Sequence, residues 1–157
     1  MNRKITILGI GNTLFTDEGV GIHLLPILQE KFKNDLDIEI IEGLTDGMKL
    51  LGPVEGSENL IIIDAINAGK DPGTIISLQG DEIPAYFGVK MSIHQMGFQE
   101  VLLAAKLRER YPKRIAMFGV QPASLELGVQ LTKTISEKLP GLAAAVINQV
   151  DDWRSQD

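Results

Sequence analysis

The sequence predicts a three-layer α/β/α domain: a twisted, mostly parallel five-stranded sheet with one antiparallel edge strand, flanked by helices. Three observations carry that expectation. Runs rich in Ile and Val recur along the chain as "KITILGI" (4–10), "DIEIIEG" (37–43), "NLIIIDAI" (59–66), "TIISL" (74–78) and "RIAMFGV" (114–120). Unbroken β-branched stretches such as "LIII" suit strands covered on both faces, as in a parallel sheet. Helical patterns lie between most of these runs, and that alternation is how layered α/β domains are built.

Each element has its own signals. The first strand runs into a glycine-rich turn and then a helix at about 17–33, for which "TDEG" offers Thr16 or Asp17 as N-cap. Pro26 should kink that helix or stand near a first turn. Further helices are expected at about 46–52, 93–110, 124–138 and 140–153, the second of these opened by a capping box of Ser92 and Gln95. The strand at 74–78 follows its predecessor after only "NAGKDPG", too short for a helical crossover, so it should be the antiparallel edge. In the intervening loop "GDEIPAYFGVKMSI" (80–93), Tyr86 and Phe87 are either exposed for docking on a large partner or folded back onto the sheet. Trp153 either anchors the last helix or trails with the charged end.

Composition narrows the class. A chain of 157 residues, 44% hydrophobic and 23% charged, fits one domain spanning 1–157. No apolar run approaches the ~20 residues of a membrane span. The opening "MNRKITILGIGN" is a strand and a turn rather than a signal peptide, so a cytoplasmic location is the expectation, with no membrane partner. The chain has no cysteine, which excludes disulfides, thiolate metal sites and a Cys nucleophile. A net charge of −6 without a basic stripe argues against nucleic acid.

In a sheet of this kind ligands bind beyond the carboxyl ends of the strands, near the reversal of strand order. Three residues of ligand type fall there. Glu18 follows the first strand by one turn, although an acid in a first helical turn also serves the helix dipole. Asp64 ends the apolar run "LIIID", where burial costs several kcal/mol unless the charge is paired or coordinated, or where it forms a turn. His94, in "SIHQMG", should lie in a first helical turn, which favours the neutral imidazole that ligates metals. One imidazole and two carboxylates from distant parts of the chain suit a divalent transition ion such as nickel, zinc or iron. His23, five residues after Glu18, faces another side of its helix and reads as structural.

Rival motifs fail. Neither "HQMGF" nor "HLLPI" has the Glu and second His of a zincin, and there is no Gly-x-Ser-x-Gly elbow or P-loop. The dinucleotide fingerprint begun by Gly9 and Gly11 meets Leu14 at its third glycine, so no nucleotide is expected. A dinucleotide-binding α/β protein survives only as an architectural analogy.

The three motifs "GIGNTLFTDEGVG", "IIIDAINAG" and "SIHQMG", in this order and with "FGVQPASLELGVQLT" (118–132) near the end, resemble the maturation endopeptidases of nickel–iron hydrogenases. The resemblance implies a twisted sheet flanked by helices. It also implies an endopeptidase that removes a C-terminal extension from the hydrogenase large-subunit precursor after nickel insertion. The family's metal positions match Glu18, Asp64 and His94, which would carry the catalytic roles too, with nickel supplied by the substrate. The ion would polarise the scissile carbonyl or acidify a bound water, with Asp64 or Glu42 as general base. The family often has Asp-Gly-Gly-Thr after the second strand, where this chain has Glu42-Gly43-Leu44-Thr45. Glu42, Gly43 and Thr45 would then take part in substrate recognition, with Asp46 a rival to Glu42. A non-catalytic nickel-sensing chaperone of the large subunit is the alternative from a different class.

Overall fold

A computed structural model of the chain describes residues 4–43, 47–89 and 98–156. Its five-stranded sheet has the order β2-β1-β3-β5-β4, from β1 (Ile5–Ile10), β2 (Ile38–Gly43), β3 (Asn59–Ala65), β4 (Ile75–Gln79) and β5 (Arg114–Val120). All neighbours are parallel except β4 and β5, so the antiparallel edge strand is where the short connection put it. Every residue of β1 and β3 is buried, which is why these strands read as continuous apolar runs. Edge strand β4 alternates exposed and half-buried positions, as a strand covered on one face should.

Strand parity divides the core between two helical layers. Ile5, Ile7, Ile61 and Ile63 point to one face, where α1 (Val20–His23), α2 (Leu25–Lys31), α6 (Lys133–Ser136) and α7 (Leu139–Ser155) supply Val20, Leu28, Ile135 and Val146. Leu8, Ile10, Leu60 and Ile62 point to the other. There α3 (Leu51–Glu55), α4 (Glu82–Val89) and α5 (Phe98–Leu107) contribute Val54, Ile83, Phe98 and Val101. Trp153 is buried and does anchor α7; the Arg114 guanidinium lies 5.4 Å from its ring centre and donates a hydrogen bond to its carbonyl at 3.2 Å.

Several helical expectations are corrected. The first helix is three pieces: a 3₁₀ turn (Thr16–Gly19), α1, and α2. Pro26 stands in the first turn of α2, because its missing N–H cannot bond back across the break at Leu24. Neither Thr16 nor Asp17 caps a helix: the residue before the 3₁₀ turn is Phe15, and no side chain caps it. The segment at 80–93, read as a loop, contains α4, and its rings fold back. Phe87 is buried with its ring 4.7 Å from that of Phe98, and Tyr86 is half-buried. The helix expected at 124–138 shrinks to α6, and the chain before it, from 121 to 132, is irregular. The Ser92–Gln95 capping box lies outside the described residues. Among the described residues no helix is long and apolar enough to cross a membrane.

One glycine governs how α1 sits on the sheet. A Cβ at Gly21 would collide with the carbonyl oxygens of both Ile10 and Ile63, so the helix rests directly on the ends of β1 and β3. Gly21→Ala should therefore destabilise the protein by roughly 2–4 kcal/mol, the range for strained core substitutions. Urea denaturation monitored by circular dichroism checks this.

Candidate active site

From β1 the chain passes to β2 on one side, and on the other side β1 is flanked by β3, so the order reverses at the β1/β3 boundary. A crevice forms beyond the strand ends at such a point. Gly11 starts the turn that leaves β1 at φ +149°, and a Cβ there would strike the Glu18 carbonyl, so the turn closes tightly on itself. The 3₁₀ turn carrying Glu18 packs against β3, whose penultimate residue is Asp64. Both carboxylates are buried, Glu18 at 4% exposure and Asp64 at 0%. Asp64 shares the strand face of Leu60 and Ile62, toward the layer that holds α5, and its Oδ1 accepts a 2.8 Å hydrogen bond from the Ala65 N–H.

The structure thus brings Glu18 and Asp64 to one rim. His94, Thr45 and Asp46 fall outside the described residues. Among the described residues no group of three or more His, Asp and Glu side chains gathers as a metal site. Glu42 and Gly43 end β2 one strand beyond β1. Glu42 is exposed and aligns across the sheet with Gly9 and Ile63. It shares the parity of Ile38 and Ile40, which pack on the α1/α2/α7 side, so Glu42 and Asp64 leave the sheet on opposite faces. Gly43 is buried, and a Cβ there would press on Leu50 at 2.7 Å and Leu8 at 3.0 Å. His23 ends α1 beside Gly19, with its Nε2 buried and without a hydrogen-bond partner among the described residues.

Two supporting roles were not read from the sequence. Gln121, just past β5, is buried and braces the chain leaving β3: its Oε1 accepts from the N–H of Ala68 (2.7 Å) and of Lys70 (3.2 Å), and its Nε2 donates to Asn67 Oδ1 (3.1 Å). Over the same exit the Tyr86 hydroxyl donates to the Ala65 carbonyl and accepts from the Asn67 N–H, each at 3.4 Å. The second is Asp17, fully buried next to Glu18. It accepts from the N–H groups of Ala123 (2.9 Å), Ser124 (3.0 Å) and Thr132 (2.8 Å) and from the Thr132 hydroxyl (2.9 Å to Oδ2). Its only signal in the sequence was its position in a turn; the donors lie more than a hundred residues away.

Comparison with known proteins decides what this rim belongs to. The sequence profile described as hydrogenase maturation protease matches residues 22–149. The chain belongs to the hydrogenase maturation protease family. It is 41% identical to the hydrogenase 2 maturation protease of Escherichia coli strain K12, over 84% of this chain and 81% of that one. It is 37% identical to the hydrogenase expression/formation protein HupD of Rhizobium leguminosarum bv. viciae, over 96% and 75%. Among solved structures it resembles the hydrogenase maturating endopeptidase HybD from E. coli, with a TM-score of 0.87 and 35% identity covering 95% and 93% of the two chains. The nickel–iron hydrogenase maturation protease HybD from Thermococcus kodakarensis aligns with a TM-score of 0.75 and 28% identity over 93% and 98%. With membership of this maturation protease family goes endopeptidase activity.

In a protease of this build the Gln121 brace should matter chiefly for holding the β3 exit. Gln121→Leu leaves the Ala68 and Lys70 amides unmet and should cost roughly 2 kcal/mol of stability. Faster amide hydrogen exchange at Ala68 and Lys70, with the β-strand core unchanged, is the expected readout.

Proposed function

We propose that this chain removes the C-terminal extension of a nickel–iron hydrogenase large-subunit precursor after nickel insertion, and that it recognises the inserted nickel through Glu18, Asp64 and His94. The observation that carries the reading is the placement of two buried acids 46 residues apart, Glu18 on the 3₁₀ turn that packs against β3 and Asp64 near the end of that strand. Two carboxylates with an imidazole make a donor set suited to a divalent transition ion. The ion arrives with the substrate, so metal and scissile bond enter the crevice together. Once held there, nickel supplies electrophilic activation of the peptide carbonyl or of a bound water.

The protein's own groups do the rest. Glu18 and Asp64 grip the ion and thereby place the bond to be cut. A carboxylate of the pair would take the proton from the water that attacks the carbonyl carbon and return it to the leaving amine as the C–N bond breaks. Asp64 suits that role better than Glu42, whose side chain leaves the opposite face of the sheet roughly 10 Å away by strand spacing. Glu42 and Gly43 then serve recognition of the substrate chain, with Thr45. The proposal keeps the cytoplasmic setting expected from the sequence.

Glu18→Gln and Asp64→Asn preserve shape while removing charge, and each should slow processing of nickel-loaded precursor by roughly 100-fold or more. Mass spectrometry of the precursor, before and after incubation, reads the loss of the C-terminal peptide. The unaltered protein should leave nickel-free precursor intact. Cleavage of the nickel-free form at full rate, or a stable complex with uncut nickel-loaded precursor, would overturn the proposal.

A further inference from the structure

Glu18 and its neighbour Asp17 are both buried, but the fold uses them differently. Asp17 is the hub of a clamp that ties the irregular chain after β5 to the turn after β1. Its two oxygens take up three backbone N–H groups and the Thr132 hydroxyl, and its own N–H donates to the Ser124 carbonyl at 3.2 Å. The clamp continues on both sides. Thr16 N–H donates to the Gly128 carbonyl (2.8 Å), Gly128 N–H to the Leu14 carbonyl (2.9 Å), and the Thr16 hydroxyl to the Glu126 carbonyl. Thr16 is held at φ +51°, a left-handed conformation that a β-branched residue adopts only under such constraint. Thr132 also caps α6, its hydroxyl accepting from the Ile135 N–H at 3.4 Å, so the clamp is rooted in a helix packed on the core.

We infer that Asp17 is a positioning residue for the reaction: by fastening residues 123–132 to the turn at 14–19 it fixes where the Glu18 carboxylate stands against β3. This rests on the reading of Glu18 as a nickel-gripping group. A charge-assisted acceptor with four donors is far stiffer than a water-exposed turn, and rigid support is what a group gripping an ion needs. Asparagine at 17 has one acceptor oxygen in place of two and turns an amide N–H₂ toward donors, so it opens the clamp while keeping the volume. Glu18 itself is untouched by that change.

The test uses the full chain and nickel-loaded precursor, well below each variant's unfolding temperature. Asp17→Asn should lower kcat about 10–100-fold, the usual consequence of removing a group that orients a metal-gripping one, with KM within about twofold. Thr132→Ala should follow it in direction, and Thr132→Ser, which keeps the hydroxyl, should restore the rate. Leu127→Ser alters the same segment at a side chain 80% exposed and should leave kcat unchanged. If Asp17→Asn does not fold, the Thr132 pair carries the test alone. Unchanged kcat in the folded variants, or equal rates for Thr132→Ala and Thr132→Ser, would overturn the inference. Failure of the unaltered protein to cut nickel-loaded precursor would overturn the proposed function instead.

Discussion

The site exists because a helix can lie directly on the ends of two strands. Gly21 removes the side chain that would separate α1 from the Ile10 and Ile63 carbonyls, and Gly11 removes the one that would separate the turn from Glu18. With those contacts closed, the 3₁₀ turn is drawn down onto the β1/β3 boundary, where an open sheet reverses its strand order and leaves a crevice. Any larger residue at either glycine lifts Glu18 away from the strand that carries Asp64. The glycine-rich opening of this chain looks like a phosphate-binding turn for the same geometric reason. Both devices need backbone at close quarters; here the turn delivers a carboxylate.

Much of the fold was legible because β-branched runs in a covered sheet have no competing reading. "NLIIIDAI" read as a strand covered on both faces, and the rule that ligands gather beyond strand ends directed attention to Glu18 and Asp64. The helices were less readable where apolar residues serve something other than a core. Leu125, Leu127 and Val129 lie in the stretch expected as a helix at 124–138, yet they are 44%, 80% and 64% exposed in a segment with no helical stripe to bury. Pro122 and Gly128 in the same stretch were the local warning. Helix α4 went unread because Pro84 and Gly88 resemble loop punctuation. Its burial of Ile83 and Phe87 against Phe98 outweighs those weak local preferences.

Acids placed one after another in a turn are individually ambiguous, and the ambiguity is resolved by chain far away. Asp17 and Glu18 have the same charge, similar burial and the same local context. For Asp17 that chain is a run of donors at 123, 124 and 132, which takes up both of its oxygens. A carboxylate with that many short N–H and O–H contacts has little lone-pair capacity left for a cation. This is why nearness to the rim does not make every acid a ligand.

In the proposed function the ion comes with the substrate. A resident metal site is normally closed by three or four protein donors on rigid elements. Glu18 and Asp64 are set on rigid elements, a clamped turn and a strand buried along its whole length. The imidazole of the proposed set, His94, comes from the sequence between α4 and α5. Under the proposed function Glu18, Asp64 and His94 are three donors, which leaves positions on the ion for ligands of the precursor that carries it. On that proposal a precursor without the ion offers these three donors nothing to hold, and discrimination between loaded and empty precursor would rest on the shared coordination shell.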